Sequence, residues 1–163
     1  MNPEEITLAL LRELIEMSRE GERGFVLATR DNREPGIVEV LKDGEECCRA
    51  SVLELQGQAR LLGAAPEDGE TVAPPMFRGW ISFKAVPISR DTKSILEECE
   101  RGQDYAKARY EEAMKTELPA ELRRILECQY QRLIAIHGRV LLLRNRYPAT
   151  EVPRAIGSRP ANR

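Results

Sequence analysis

Residues 11–41 decide the fold, and they read LRELIEMSREGERGFVLATRDNREPGIVEVL. Residues 31–36 interrupt a helical pattern, because Pro35 and Gly36 both end helices, and a new pattern begins at Ile37. Two amphipathic helices separated by so short a break predict an antiparallel helical hairpin. The first helix repeats at steps of three and four residues, the spacing of one helix face, at Leu11, Leu14, Ser18, Glu22, Phe25 and Thr29.

The helical pattern continues on both sides of this stretch. The first helix is predicted to begin at Pro3, because proline is favoured in the first turn. The second is predicted over residues 37–62, and Gly63 follows it as a helix stop. The first 62 residues therefore predict two long helices and little else.

A second pair of helices is predicted in the C-terminal half. The third helix begins after a cap at Ser89 or Asp91 and ends near Glu117. Pro119 then starts a fourth helix, which continues through Leu141. The short break between them predicts a second antiparallel hairpin.

One long connection joins the two hairpins. Residues 63–89 contain four prolines, and a plain loop of that length is unusual, so we expect a short extra helix over residues 76–86. Two hairpins joined by one long crossover predict an all-α, ferritin-like four-helix bundle. We assign residues 1–147 to this bundle and expect residues 148–163, which contain three prolines and no helical period, to form a mobile tail.

Composition supports a single helical domain. The chain has 163 residues, of which 42% are hydrophobic, 32% charged and 5% aromatic, a profile that argues against disorder and against an all-β sandwich. The net charge is −2, so we expect neither a nucleic-acid nor a membrane partner. The start, Met-Asn-Pro-Glu-Glu, is acidic where a secretory signal is basic, so we expect a cytoplasmic protein.

The cysteines do not form a metal or disulfide motif. There is no Cys-x-x-Cys pair among Cys47, Cys48, Cys99 and Cys128, and the first two are adjacent, which suits neither a zinc site nor a disulfide. We expect reduced thiols buried as small apolar side chains.

In an antiparallel hairpin, two residues that are equally far from the turn lie at the same height on the two helices. This rule identifies one candidate site. This arithmetic places Glu22 level with Glu45 in the first hairpin and Glu98 level with His137 in the second. It also places Tyr105 beside Tyr130. The height of the Glu22/Glu45 pair along the bundle agrees with that of the Glu98/His137 pair within about 4 Å if the connection crosses over. In a simple up-down-up-down bundle, the two pairs differ in height by about 12 Å.

Carboxylates and an imidazole in a bundle centre suit iron or manganese. Glu22, Glu45, Glu98 and His137 are therefore the predicted metal ligands. Both Glu-x-x-His motifs of a full di-iron bundle are broken, because Cys48 and Ile134 stand at the matching positions. Glu46, Glu97 and Glu100 are substitute ligands in this interpretation.

Structural explanations of the same residues stay open. His137 could be a core histidine that pairs with Glu98. Arg101 could be the counter-ion of the nearby carboxylates, and Glu22 and Glu45 could pair with Arg23 or Arg49.

Four segments together resemble a known family. They are residues 18–25 (SREGERGF), 78–80 (RGW), 95–104 (ILEECERGQD) and 129–131 (QYQ) followed by HGRV at 137–140. The chain is similar in these segments to a bacterial family of ferritin-like four-helix-bundle proteins of unknown function. The resemblance covers roughly residues 4–147 and implies a ferritin-like bundle with a short extra helix in the connection. The chain departs from the family at Pro74, Pro75 and Pro87, which shorten that helix, and at Gln103 and Gly138, which replace commonly acidic residues.

Two functions fit these patterns. The favoured one is a non-enzymatic, stress-related or partner-binding bundle that forms homo-oligomers and uses apolar side chains at Met76, Phe77, Trp80 and Phe83. The alternative is an iron- or manganese-binding oxidoreductase or iron-handling protein that uses the four predicted ligands. Whether the protein is an enzyme stays open at this point.

Overall fold

A computed structural model describes residues 2–65 and 91–147. This part of the chain is all-helical, with four helices and no strand: α1 (Pro3–Arg30), α2 (Pro35–Leu61), α3 (Thr92–Ala113) and α4 (Ala120–Arg144). The four long predicted helices are confirmed, although α3 ends four residues before Glu117. None of these helices is long and apolar enough to cross a membrane.

Local side chains fix where the helices begin and end. Asn2 Oδ1 accepts a hydrogen bond from Glu5 N at 2.9 Å, and Glu5 Oε2 accepts one from Asn2 N at 2.9 Å, so both groups cap α1. Asp91 caps α3, since its Oδ1 accepts a hydrogen bond from Ser94 N at 2.7 Å. Gly63 follows α2 with a φ of +82°, a left-handed conformation that favours glycine.

Contacts between the helices define their directions. Thr92, at the start of α3, donates a hydrogen bond to Asn32, just after the end of α1, at 3.1 Å, and Arg109 forms an ion pair with Glu13. The two helices are therefore antiparallel. α2 and α4 are also antiparallel, because Tyr147 bonds Glu34 at one end and other pairs follow farther along both helices. α1 and α2 are antiparallel as well, because Arg49 pairs with Glu22 across the short turn that joins them, so α2 and α3 run in the same direction.

The core consists of two apolar clusters stacked along the bundle. The cluster nearer the α1–α2 turn contains Phe25, Ile37, Leu41, Leu96, Val140 and their neighbours. The cluster at the other end contains Leu11, Leu14, Leu55, Tyr110, Leu126 and their neighbours. Polar side chains that are also buried lie between the two, namely Ser18, Ser51, Gln103 and Gln129.

Several predictions concern residues outside the described ranges. The short helix over residues 76–86, the apolar residues Met76, Phe77, Trp80 and Phe83, and the tail at residues 148–163 all lie there. The cysteines lie within the described part and are free thiols, as expected. Their expected burial holds only for Cys99, because Cys47 and Cys48 are half-buried and Cys128 is exposed.

Candidate functional site

Two of the predicted ligands converge on one arginine. The guanidinium of Arg49 donates from Nε to Glu22 Oε1 at 3.1 Å and from Nη2 to Glu45 Oε1 at 2.6 Å. Both carboxylates are partly exposed. The hydrogen bonds that Arg49 donates, chiefly to Glu22 and then to Glu45, raise its pKa above the usual range. A protein cation thus already lies between these two carboxylates.

The other two predicted ligands do not meet. Glu98 accepts a hydrogen bond from Arg101 on its own helix. His137 Nε2 lies 2.9 Å from Asp104 Oδ1 on α3, within contact distance but without good hydrogen-bond geometry. The expected pairing of Glu98 with His137 is therefore replaced by a contact six residues farther along, a shift of about 9 Å in height.

One tyrosine pair shows an offset in the same direction. The ring of Tyr130 lies 6.5 Å from that of Tyr110, centroid to centroid, and the expected contact of Tyr130 with Tyr105 stays a prediction. Side chains in a helix tilt toward its N-terminus, so those of two antiparallel helices reach past each other. For a given residue of α4, the contacting residue of α3 therefore lies nearer the turn than equal Cα height predicts.

The described residues do not assemble the ligand set of a metal centre. Within residues 2–65 and 91–147, no three His, Cys, Asp or Glu side chains form a group that could hold a metal ion. Arg49 and Arg101 instead neutralise the carboxylates that the sequence assigned to iron or manganese. The residues present therefore do not fit a carboxylate-bridged metal pair, and metal binding at Glu22, Glu45, Glu98 and His137 stays a prediction.

A buried polar layer occupies the middle of the bundle instead. The hydroxyl of Tyr110 donates to Gln129 Oε1 at 2.9 Å, and Gln129 Nε2 lies 3.5 Å from the Ser51 carbonyl oxygen. Burial raises the pKa of Tyr110, so its hydroxyl keeps its proton as a donor. This layer was not predicted from the sequence, although Gln103 and Gln129 occur at core spacing, four residues after Cys99 and three after Leu126.

A small cavity of about 40 Å³ adjoins this layer. Gln103 lines it, is only 1% exposed, and has no hydrogen-bond partner for either amide atom. No charged side chain lines the cavity, whose walls are Met17, Ser18, Gly21, Phe25, Cys47, Cys48, Ser51, Gly102, Gln103, Ala106, Tyr110, Gln129 and Leu133. The arrangement can hold a neutral hydrogen-bonding group, but it offers nothing to balance a charge.

The outer face of α2 and α4 carries a shallow groove of about 390 Å³. Ala50 and Ala135 form part of its floor, while Asp43 and Glu46 lie on the α2 side and Arg132 on the α4 side. Leu53 follows Glu46, and Leu142 follows Ala135, by seven residues, so each continues its helix face. These leucines are 61% and 67% exposed. We call this surface the α2/α4 face.

Comparison with known proteins identifies one family. The model of the family described as Domain of unknown function (DUF2383) matches residues 7–116. A search of curated proteins found no match.

Proposed function

The chain belongs to the DUF2383 family, so we propose its function from the geometry of the bundle: it is a non-enzymatic protein that binds a protein partner through the α2/α4 face. The observation that carries this proposal is the groove of the α2/α4 face, which has acidic side chains on one helix and a basic side chain on the other, together with the two exposed leucines that continue its helix faces.

The proposal includes a ferritin-like topology for the four helices. α2 and α3 run in the same direction, so the chain has to return from the end where α2 stops to the end where α3 begins. A crossover connection of this kind is the feature that distinguishes ferritin-like bundles from simple up-down-up-down bundles. The connecting residues 66–90 lie outside the described part of the chain.

Charge complementarity favours a second copy of the chain as the partner. If two α2/α4 faces stack about a two-fold axis parallel to the helices, α2 of each copy lies against α4 of the other. Asp43 and Glu46 of one copy then face Arg132 and Arg139 of the other, although Asp43 and Arg139 already form an ion pair within each chain, as Arg132 does with Glu54. Complementary charges of this kind fix the relative orientation of two surfaces.

The size of the face suits a stable dimer. Two adjacent helices about 40 Å long and together about 20 Å wide offer roughly 800 Å² per copy, which is the size of a standard protein interface. The small side chains of Ala50 and Ala135 allow the backbones of two copies to approach closely.

The arginine pairs favour this function over metal chemistry. A metal ion at Glu22 and Glu45 would have to displace Arg49, which already bonds both carboxylates. Convergence of the two carboxylates is the one observation that still favours the alternative, an iron- or manganese-binding protein.

Sedimentation equilibrium over a wide range of protein concentration tests the proposal. We expect the native chain to form dimers, and Ala135→Glu to produce monomers because it places a carboxylate against the acidic side of the other copy. Ala108→Glu is the matched control, since Ala108 is an exposed alanine on α3, away from the face, and should leave the dimer intact. A monomer at every concentration would refute the proposal.

Thermal unfolding with added Fe(II) or Mn(II) tests the alternative. A ligand that binds only the folded state stabilises it, and the melting temperature rises with the logarithm of the ligand concentration once that concentration exceeds the dissociation constant. An increase in melting temperature that Glu22→Ala and Glu45→Ala abolish would favour the metal-binding function and overturn the proposed partner-binding function.

A further inference from the structure

We propose that the cavity beside Gln103 is an internal binding site for water, and that water molecules held there connect the polar groups of all four helices. The proposal does not depend on the α2/α4 face, and its test does not measure association.

The side chain of Gln103 requires a ligand of this kind. An amide has two donor hydrogens and one acceptor oxygen, and neither its Nε2 nor its Oε1 has a partner in the protein. The residue is 1% exposed, so bulk water does not reach it. Buried amides without partners are rare in folded proteins because desolvation is not compensated, and ordered water is the usual partner.

The cavity has the size and the partners that buried water needs. One water molecule requires about 10–15 Å³ of such space, so a cavity of about 40 Å³ holds about three. Each buried water makes two to four hydrogen bonds. Ser18 from α1, Ser51 from α2, Gln103 from α3 and Gln129 from α4 all line the same space.

Water fits the cavity better than an ion does. The lining contains hydroxyl, amide and thiol groups and no charged side chain. Desolvation raises the pKa of the Cys48 thiol, so this group stays neutral as well. A buried ion without a countercharge would be strongly unfavourable, whereas water both donates and accepts.

The site explains why a polar layer separates two apolar clusters. Water bridging four helices holds Ser18, Ser51, Gln103 and Gln129 at one height, and a helix that slipped by one turn would leave these groups without partners. A polar contact at a single core level specifies register in this way in coiled coils.

Water-oxygen magnetic relaxation dispersion tests the proposal on the intact protein. We expect the native chain to show a dispersion from about three long-lived water molecules. Gln103→Met keeps the length of the side chain and removes its polar atoms, so we expect it to lose a large part of the dispersion amplitude. Gln131→Met is the matched control at an exposed position of α4 and should change nothing.

Urea unfolding provides the second measurement. If water satisfies Gln103, Gln103→Met lowers the free energy of unfolding; if the amide is truly unpartnered, the same change raises it. A native chain without long-lived water, or a more stable Gln103→Met variant, would overturn the proposal. If Gln103→Met fails to fold, the relaxation dispersion of the native chain is the deciding measurement, because it shows directly whether long-lived water is present.

Discussion

The ring of Phe25 on α1 lies directly over Gly44 on α2. A Cβ atom added to Gly44 would be 2.6 Å from Cε1 and Cζ of that ring, closer than real Cβ atoms approach other heavy atoms. Phe25 is only 2% exposed and belongs to the apolar cluster near the α1–α2 turn, so the ring cannot move aside without disturbing its neighbours. The absence of a side chain at Gly44 therefore sets how closely α1 and α2 approach.

Gly44→Ala should destabilise the protein. Alanine is favoured over glycine in a helix by about 0.5–1 kcal/mol, but the clash with Phe25 adds an overpacking cost of about 1–3 kcal/mol. We expect the free energy of unfolding, measured in urea, to fall by about 1–2 kcal/mol.

Gly57→Ala is the matched control on the same helix. Nothing lies within 4 Å of a Cβ atom at that position. Only the helix preference should act there, so this variant should be more stable by about 0.5–1 kcal/mol. Equal effects of the two substitutions would show that the contact with Phe25 does not limit helix approach.

Tyr110→Phe should weaken the buried polar layer. It removes the hydroxyl that donates to Gln129 Oε1 at 2.9 Å and leaves a buried acceptor without that partner. The expected loss in the free energy of unfolding is about 1–3 kcal/mol. Tyr130→Phe is the control, because its hydroxyl bonds the exposed Glu111 and water can replace it. A loss no larger for Tyr110→Phe than for Tyr130→Phe would contradict a structural role for the layer.

Much of the fold could be predicted from local patterns. The spacing of apolar residues, together with Pro3, Asp91 and Gly63, placed the helices to within a few residues, because caps and periodicity are local properties. The convergence of Glu22 and Glu45 also followed from counting residues back from a tight turn, and Arg49 was among the partners considered.

The second hairpin shows where counting fails. Equal height of Cα atoms paired His137 with Glu98, whereas His137 contacts Asp104, an offset in the direction that side-chain tilt predicts. The buried layer was missed for a different reason: a glutamine at a core position looks like any surface glutamine until its neighbours are known. Gln103 and Gln129 become recognisable only when four helices place them on the inside.

Stability should fall in alkaline solution because a buried thiol resists ionisation. Burial, the largest cause, and the nearby Glu98 carboxylate raise the pKa of Cys99 well above its ordinary value of 9.0. In the unfolded chain this thiol ionises near its ordinary pKa, so above about pH 9 the unfolded state binds fewer protons than the folded state. The contribution of this thiol to the free energy of unfolding should therefore be constant below that pH and decrease above it.

The slope of the free energy of unfolding against pH identifies the thiol of Cys99 as the group responsible. A single thiol that ionises only in the unfolded state contributes a decrease of up to about 1.4 kcal/mol per pH unit. Urea unfolding of the native chain and of Cys99→Ala at several pH values between neutral and strongly alkaline should show a shallower decrease in the variant. Parallel curves for the two proteins would mean that Cys99 is not protected in the folded state.

Asp91→Ala should shorten or loosen the start of α3. The Asp91 carboxylate accepts the Ser94 backbone N–H at 2.7 Å, and this hydrogen bond is the main reason that the pKa of Asp91 lies below its ordinary value. Loss of such a cap costs about 1 kcal/mol, whereas Asp91→Asn keeps an acceptor and should cost much less.

Because the folded pKa is lowered, the charge contribution of Asp91 is present above its ordinary pKa of 3.8 and is lost as the pH falls through the folded value. The difference in free energy of unfolding between the native chain and Asp91→Asn should therefore be constant near neutral pH and shrink in strong acid. Urea unfolding of both proteins across this range measures it. A difference that grows in acid would have the wrong sign for a capping carboxylate.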